Sequence, residues 1–316
     1  MMKKPLIILT GPTAVGKTEL SIKLAKMAGA SIISADSMQV YRHMDIGSAK
    51  ITKSEMQEIP HYLIDILEPT EEFHVVKFQE YARTYMEEIY AQGRIPLIVG
   101  GTGFYIQALL YDIDFTEEKQ DKEYRAGLER TAAQQGSHAL YEMLALIDPR
   151  AAAEIHENNV KRVIRALEFY HLTGKKISEH NAKERQKESP YNFAYFVLND
   201  ERMRLYQRIN ERVEQMLAQG LEQEVQKLRK LGCSREMVSM QGLGYKELLD
   251  YLENRCTLEE AGYRMKRDTR HFAKRQLTWF RREREVIWIN KPEFDYDNDK
   301  ILSYMQKELT QKGILT

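Results

Sequence analysis

At 316 residues, 43% of them apolar and 30% charged, the chain can bury a sizeable core and has an ordinary soluble composition. Its 47 Lys and Arg balance 47 Asp and Glu, which excludes a global field that recruits polyanions; nucleic-acid binding would need local segregation of charge. Cys233 and Cys256 lack metal-ligand spacing and suit a reducing compartment, no run reaches membrane-span length, and the N-terminal apolar stretch is too short for a signal peptide. A cytoplasmic protein with no membrane partner is expected.

In chain order, the apolar run Leu6–Thr10 reads as a buried strand. It feeds GPTAVGKT at residues 11–18, and a helix over Lys17–Met27 is predicted to follow. A strand, a Gly-rich turn and a helix in that order form the context of a phosphate-binding loop. Gly11 and Gly16 let the backbone curl so that N–H groups point into one concavity, and the helix dipole aims at the same place. Lys17 adds a point charge, and the Thr18 hydroxyl suits a hydrated Mg²⁺. The candidate phosphate-binding residues are therefore Gly11, Pro12, Thr13, Ala14, Val15, Gly16, Lys17 and Thr18, with Thr18 the candidate metal ligand.

A second strand, Ser31–Ala35, ends at Asp36, so this acid falls on the crevice edge where open α/β sheets bind ligands. There it could ligate metal, hold a ribose, act as general base, or simply cap the next turn as an Asx residue. Tyr62–Ile66 reads as a third strand. Phe78, Tyr81, Tyr85 and Ile89 predict a helix over Val75–Gln92, ended by Gly93. The fourth strand, Pro96–Gly100, runs into Gly-Gly-Thr-Gly where NTPases usually carry a Walker B acid, and nothing acidic follows until Asp112. Glycines there permit close approach of a ligand, and the missing acid argues for a transferase that holds a leaving phosphate rather than for routine ATP hydrolysis.

From residue 116 to 190 the strand signal gives way to polar amphipathic helices, among them Lys122–Gln135, His138–Leu146 and Val160–Leu172. Phe193–Leu198 restores a strand, and a helix over Glu201–Ala218 follows, with Arg204, Arg208 and Arg212 every four residues. These arginines could reach the phosphate site or pair with neighbours such as Glu211. Thr257 and Glu260 form a capping box that opens a helix to Arg284, Val286–Ile289 reads as the last strand, and the final fifteen residues read as a loosely attached helix. The expected fold class is α/β: a P-loop NTPase-like, mainly parallel sheet core flanked by helices (1–115 and 191–316), with an all-helical insertion domain (116–190).

Residues 264–284 hold nine Lys and Arg against two acids, Asp268 and Glu283. Arg267, Arg270, Lys274 and Arg281 share one helical face, while Met265, Phe272, Gln276 and Trp279 form a stripe suited to docking on the core. A charge run is ordinarily a solvated face. A single-signed one in a chain of zero net charge has the asymmetry of a phosphate-backbone footprint. Lys161, Arg162 and Arg165 make a second cationic cluster.

Together, GPTAVGKT at 11–18, ADSMQVYRHMDIGSAK at 35–50, GRIPLIVGGTGFYIQALL at 93–110, NVKRVIRALEFY at 159–170, QGLGYKE at 241–247 and TRHFAKRQLTWFR at 269–281 span nearly the whole chain. They resemble the tRNA dimethylallyltransferases, also called tRNA isopentenyltransferases. Ser48 stands where that family often has Thr, a conservative departure. The resemblance implies transfer of a dimethylallyl group from dimethylallyl diphosphate to N6 of adenosine 37 in tRNAs that read codons beginning with U. Diphosphate leaves, Mg²⁺ is the cofactor, the anticodon stem-loop is the partner, and a monomer is expected.

An exocyclic adenine amine is a poor nucleophile, so this chemistry needs a stabilised leaving group and a proton acceptor. The loop amides, Lys17, Thr18 with Mg²⁺, and Arg212 would serve the first need, and Asp36 the second. Thr13 would orient the diphosphate and Thr102 the adenosine. By similarity, Asp36, Ser37, Met38 and Gln39 line the tRNA path. So do Lys161, Arg162, Val163, Ile164 and Arg165, and Gln241, Gly242, Leu243, Gly244, Tyr245 and Lys246. Arg125 would contact the RNA, as would Arg270 and Lys274 on the basic helix. A P-loop small-molecule or nucleotide kinase leaves that helix unexplained. A free adenine-nucleotide isopentenyltransferase leaves both the helix and the insertion without a task. A non-catalytic RNA-binding ATPase explains the charge but not Asp36 beside the Gly-Gly-Thr-Gly turn.

Overall fold

Residues 3–115 and 121–315, which the computed structural model describes, begin with β1 (Lys4–Thr10), α1 (Lys17–Ala28), β2 (Ala30–Ala35) and β3 (His61–Tyr62). Next come α2 (Val75–Ala91), β4 (Ile95–Gly100) and α3 (Gly103–Leu110). Five helices without a strand follow among the described residues: α4 (Lys122–Gln135), α5 (Ser137–Ile147), α6 (Pro149–Glu154), α7 (Val160–Thr173) and α8 (Ile177–Glu184). The chain then returns through β5 (Tyr191–Asn199), α9 (Arg202–Ala218), α10 (Leu221–Lys230), α11 (Tyr245–Leu252) and α12 (Leu258–Phe280) to β6 (Val286–Asn290) and α13 (Asn298–Gln311). These elements form two compact units, Met1–Leu110 with Pro190–Thr316, and Tyr111–Ser189. The expected domain limits at residues 1, 116 and 316 lie outside the described residues.

In the first unit the strands form one sheet in the order β3-β2-β4-β1-β5-β6, with every neighbouring pair parallel. A parallel sheet is covered on both faces, which is why its strands read as unbroken apolar runs. Leu6 to Thr10 of β1 and all of β2 are buried. Register aligns Thr10 and Ala35 with Gly100, one from each side of β4. The phosphate loop, Asp36 and the Gly101–Gly103 turn therefore leave the sheet side by side on its carboxyl edge.

Three expectations change. The third strand is His61–Tyr62 alone rather than Tyr62–Ile66. Leu63 and Asp65 take φ of +62° and +55°, and the Asp65 and Ile66 N–H groups bond the carbonyls of Gln39 and Val40 instead of a strand. The basic helix stops at Phe280 rather than Arg284, because Arg282 and Glu283 close tighter turns onto the carbonyls of Trp279 and Phe280. The last helix is not loosely attached: Ile301, Met305 and Leu309 are fully buried in the core shared with Leu9, Leu24 and Phe196.

In the second unit, Asp121 caps α4 by accepting the Tyr124 N–H at 2.9 Å. Asp148 caps α6 through Ala151 at 3.0 Å and also takes the Ser178 N–H and hydroxyl at 2.9 and 2.7 Å. Val163 and Ile164 lie in this unit's core with Leu128, Leu140 and Leu144. Their expected place on a tRNA path is thereby corrected. The side chains α7 turns to solvent in that segment are Lys161, Arg162 and Arg165.

Candidate active site

β1 delivers the loop at Gly11, whose φ of +145° and approach to Leu198 leave no place for a side chain; a Cβ there would stand 2.5 Å from the Leu198 carbonyl oxygen. Gly16, at φ +98°, turns the chain into α1. Val15 packs into the core and anchors the loop from below. Lys17 folds its Nζ back over the loop and donates to the carbonyls of Gly11 and Pro12, both at 2.9 Å. Burial first and Arg212 second lower the Lys17 pKa, Asp36 opposes them, and the net result is a value of about 7. Burial, then Arg208, likewise depresses Arg212. These cations are concentrated beyond what the protein alone can compensate, which is how a site for an anion is built.

An open cleft of about 590 Å³ borders the loop, lined by Ala14, Arg204, Gln207, Arg208, Glu211, Arg212 and Gln215. Glu211 accepts from Gln207 Nε2 at 2.8 Å rather than pairing with an arginine. Arg204 stacks on Tyr296 with its guanidinium 3.7 Å from the ring centroid, so Arg208 and Arg212 are the arginines directed at the loop. Lys291, buried in the turn after β6, approaches the Val15 carbonyl at 3.4 Å and would stand 3.3 Å from a Gly16 Cβ. Sequence reasoning missed Lys291, which belongs to no pattern along the chain. Thr18 is exposed in the first turn of α1. The described residues contain no group of three or more His, Cys, Asp or Glu able to hold a metal. A single hydroxyl fits a Mg²⁺ bound chiefly by water and a ligand's phosphate oxygens.

Across the crevice, Asp36 Oδ1 accepts the N–H groups of Met38 at 2.8 Å and Gln39 at 3.3 Å. The Asx turn is therefore present, and it occupies one oxygen only. Oδ2 has no hydrogen-bond partner among the described residues. Burial raises the Asp36 pKa, while the two N–H groups and Lys17 pull it back. The turn after β4 lies alongside, the Thr102 N–H donating to the Ala35 carbonyl at 3.2 Å. A Cβ at Gly100 would collide with that same carbonyl.

The segment 241–246 folds onto the loop after β2. Gly242 abuts Met38, a Cβ there falling 2.8 Å from its Sδ, and the Tyr245 ring fills the space beside Gly47. Tyr245 is fully buried and donates to Glu224 Oε1 at 2.8 Å. Glu224 in turn accepts the N–H groups of Asp45, Ile46 and Gly47 at 2.9, 2.8 and 3.1 Å. Gly242, Gly244 and Tyr245 thus support the surface, whereas Gln241, Leu243 and Lys246 reach solvent. Glu224 is the second residue sequence reasoning missed, since its partners lie far away in the chain.

Along α12, Lys274 is exposed, Arg270 donates to Asn210 at 2.6 Å, and Arg267 is paired with Asp268 at 2.7 Å. On the opposite side, Gln276 bonds Thr13 and Gly101, joining the phosphate loop to the turn before Thr102. In the second unit, Arg125 pairs with Glu129 and with buried Glu168, at 3.2 and 3.1 Å.

Fold and site define the class: a parallel α/β protein whose phosphate-binding loop faces an acid across the carboxyl edge of its sheet. The chain matches IPP transferase over residues 39–283. A tRNA dimethylallyltransferase of Lachnoclostridium phytofermentans is 59% identical over 313 residues, 99% of each chain. The crystal structure of the full-length tRNA isopentenylpyrophosphate transferase from Bacillus halodurans is 46% identical, with a TM-score of 0.74 and 98% of each chain covered. A eukaryotic dimethylallyltransferase acting on tRNA is 31% identical with a TM-score of 0.78, over 91% of this chain and 74% of that one. The chain belongs to the IPP transferase family.

Proposed function

We propose that this protein is a tRNA-modifying prenyltransferase: it moves the dimethylallyl group of dimethylallyl diphosphate to N6 of an adenosine in tRNA. The target is position 37 of the anticodon loop in tRNAs reading codons that begin with U. The reading rests on the opposition in one crevice of clustered cations, Lys17, Arg208 and Arg212, and an acid with one oxygen uncommitted, Asp36.

The C1–O bond of the donor breaks and its electron pair stays on the diphosphate. Lys17, Arg212 and the loop N–H groups stabilise the charge that develops there. N6 forms the new bond to C1 and gives up a proton, which Asp36 accepts on Oδ2. Thr18 would hold Mg²⁺, which when bound adds further charge neutralisation to the leaving group. An adenine within a stacked loop cannot reach this recess, so it must be flipped out, at a cost of roughly a few kcal/mol that pocket contacts offset. The exposed cations of α12 would hold the phosphate backbone meanwhile.

The deciding assay supplies labelled dimethylallyl diphosphate or labelled ATP, with and without bulk tRNA. Label is expected to pass from the diphosphate donor, only when tRNA is present. Transfer from ATP to a small molecule, or prenylation of free nucleotide in the absence of tRNA, overturns the proposal.

A further inference from the structure

Gln276 lies on the buried side of α12, only 6% exposed, two residues beyond Lys274. Its Oε1 accepts the Thr13 N–H at 2.8 Å, and its Nε2 donates to the Gly101 carbonyl at 2.9 Å. Both partners are backbone groups of fixed polarity, so a donor on one side and an acceptor on the other admit a single amide orientation. A Cβ at Gly101 would collide with Nε2, so that glycine makes room for this amide. Thr13 belongs to the phosphate loop, and Gly101 immediately precedes Thr102, beside the end of β2 that carries Asp36. One side chain therefore spans the two walls of the crevice, and the helix bearing it presents Lys274 to solvent on another face.

We infer that Gln276 is a positioning residue for group transfer, holding the phosphate loop and the Thr102 turn in the register that brings donor carbon and acceptor nitrogen into line. The inference rests on the prenyl-transfer reading above. Its physical basis is the steep dependence of transfer on alignment, where a displacement of about 1 Å costs on the order of a hundredfold in rate.

Two variants test it, Gln276→Met and Gln276→Glu. A neutral carboxylic acid reproduces the pattern of the amide: its carbonyl accepts from Thr13 and its O–H donates to Gly101. Once ionised it cannot donate, and it faces the Gly101 carbonyl with like charge. The kcat of Gln276→Glu, taken as a ratio to wild type at each pH, should therefore rise about tenfold between roughly pH 8 and pH 6, while the Gln276→Met ratio stays low and flat. Lys17, Asp36, Lys274 and Arg275 are common to all three proteins, and the pKa rise that an ionised carboxylate at 276 imposes on Lys17 and Asp36 moves the ratio the opposite way, downward on acidification. The Kd for tRNA, set by other residues, should stay within about twofold of wild type.

A ratio for Gln276→Glu that does not change with pH overturns the inference, as does a Gln276→Met kcat within about threefold of wild type. If Gln276→Met does not fold, the pH response of Gln276→Glu decides alone. A wild type that transfers no prenyl group overturns the prenyl-transfer reading instead. In that case calorimetric binding of inorganic pyrophosphate to Gln276→Glu, again as a ratio to wild type at both pH values, decides the positioning role by the same criterion.

Discussion

Asp36 fixes the turn with one oxygen, which accepts from Met38 and Gln39, and in the proposed reaction it would take a proton on the other. Asparagine preserves the first and abolishes the second. Asp36→Asn should therefore keep the turn and bind tRNA and pyrophosphate as wild type does, yet lose about 10²–10⁴ in kcat. Its pH profile supplies the sharper check. Burial raises the Asp36 pKa, so a base that must be ionised loses activity on the acid side starting above the usual carboxylate range. Lys17 must be protonated to hold a diphosphate, and with its pKa lowered to about 7 it loses that proton as pH rises through neutrality. The kcat/KM of wild type should thus form a bell, and Asp36→Asn should lose the acid limb while keeping the alkaline one. An intact acid limb in that variant would remove Asp36 as the base. At this scale the sequence revealed residues that sit in local patterns: Lys17 and Thr18 by their spacing from glycines, Asp36 by its place after a strand. Lys291, Glu224 and the amide of Gln276 act through partners 276, 179 and 263 residues away, and no local pattern marks them.

α12 shows the same division within one element. Its capping box, Thr257 with Glu260, and its 3–4 periodicity were plain in the chain, and both bonds of the box are present. Its end was not, because the stop at Phe280 depends on turns rather than on a breaking residue. Nor does composition reveal which cations remain for a partner. Arg267 is engaged by Asp268 and Lys266 by Glu214, both at 2.7 Å, whereas Lys274 is exposed and Arg270 bonds a neutral amide and approaches an aromatic face, with no acidic partner among the described residues. If α12 meets the phosphate backbone, replacing Arg270 and Lys274 with Gln should weaken tRNA binding across all sequences and reduce the slope of log K against log salt by about one to two. Filter binding over a salt series measures both. An unchanged slope would return these two side chains to an ordinary solvated face.

For the molecule as a whole, strands buried on both faces announced themselves as apolar runs, so the parallel sheet was legible from β1, β2, β4 and β5. From the sequence the last helix reads as loosely attached, because charged and amide side chains surround its apolar positions. Ile301, Met305 and Leu309 nevertheless recur every four residues, and all three are fully buried. They join the core formed by Leu9 of β1, Leu20 and Leu24 of α1, and Phe196 of β5. β1 and α1 are also the two elements that hold the phosphate loop between them, and the C-terminal helix packs directly on α1, with Lys23 paired to Asp299 and Asn298 bonded to Glu19. Truncating a fully buried leucine leaves a cavity as well as losing transfer energy, and Leu309→Ala should cost about 2–5 kcal/mol. The urea midpoint should fall with little change in m, while kcat measured well below the transition stays near wild type, since Leu309 is not among the residues that line the cleft beside the loop. A midpoint unmoved by Leu309→Ala would mean that α13 is the loose appendage its composition suggests. A lowered kcat at full folding would mean instead that packing at α13 is transmitted to the loop, because the two share β1 and α1 and a close-packed core passes strain between them.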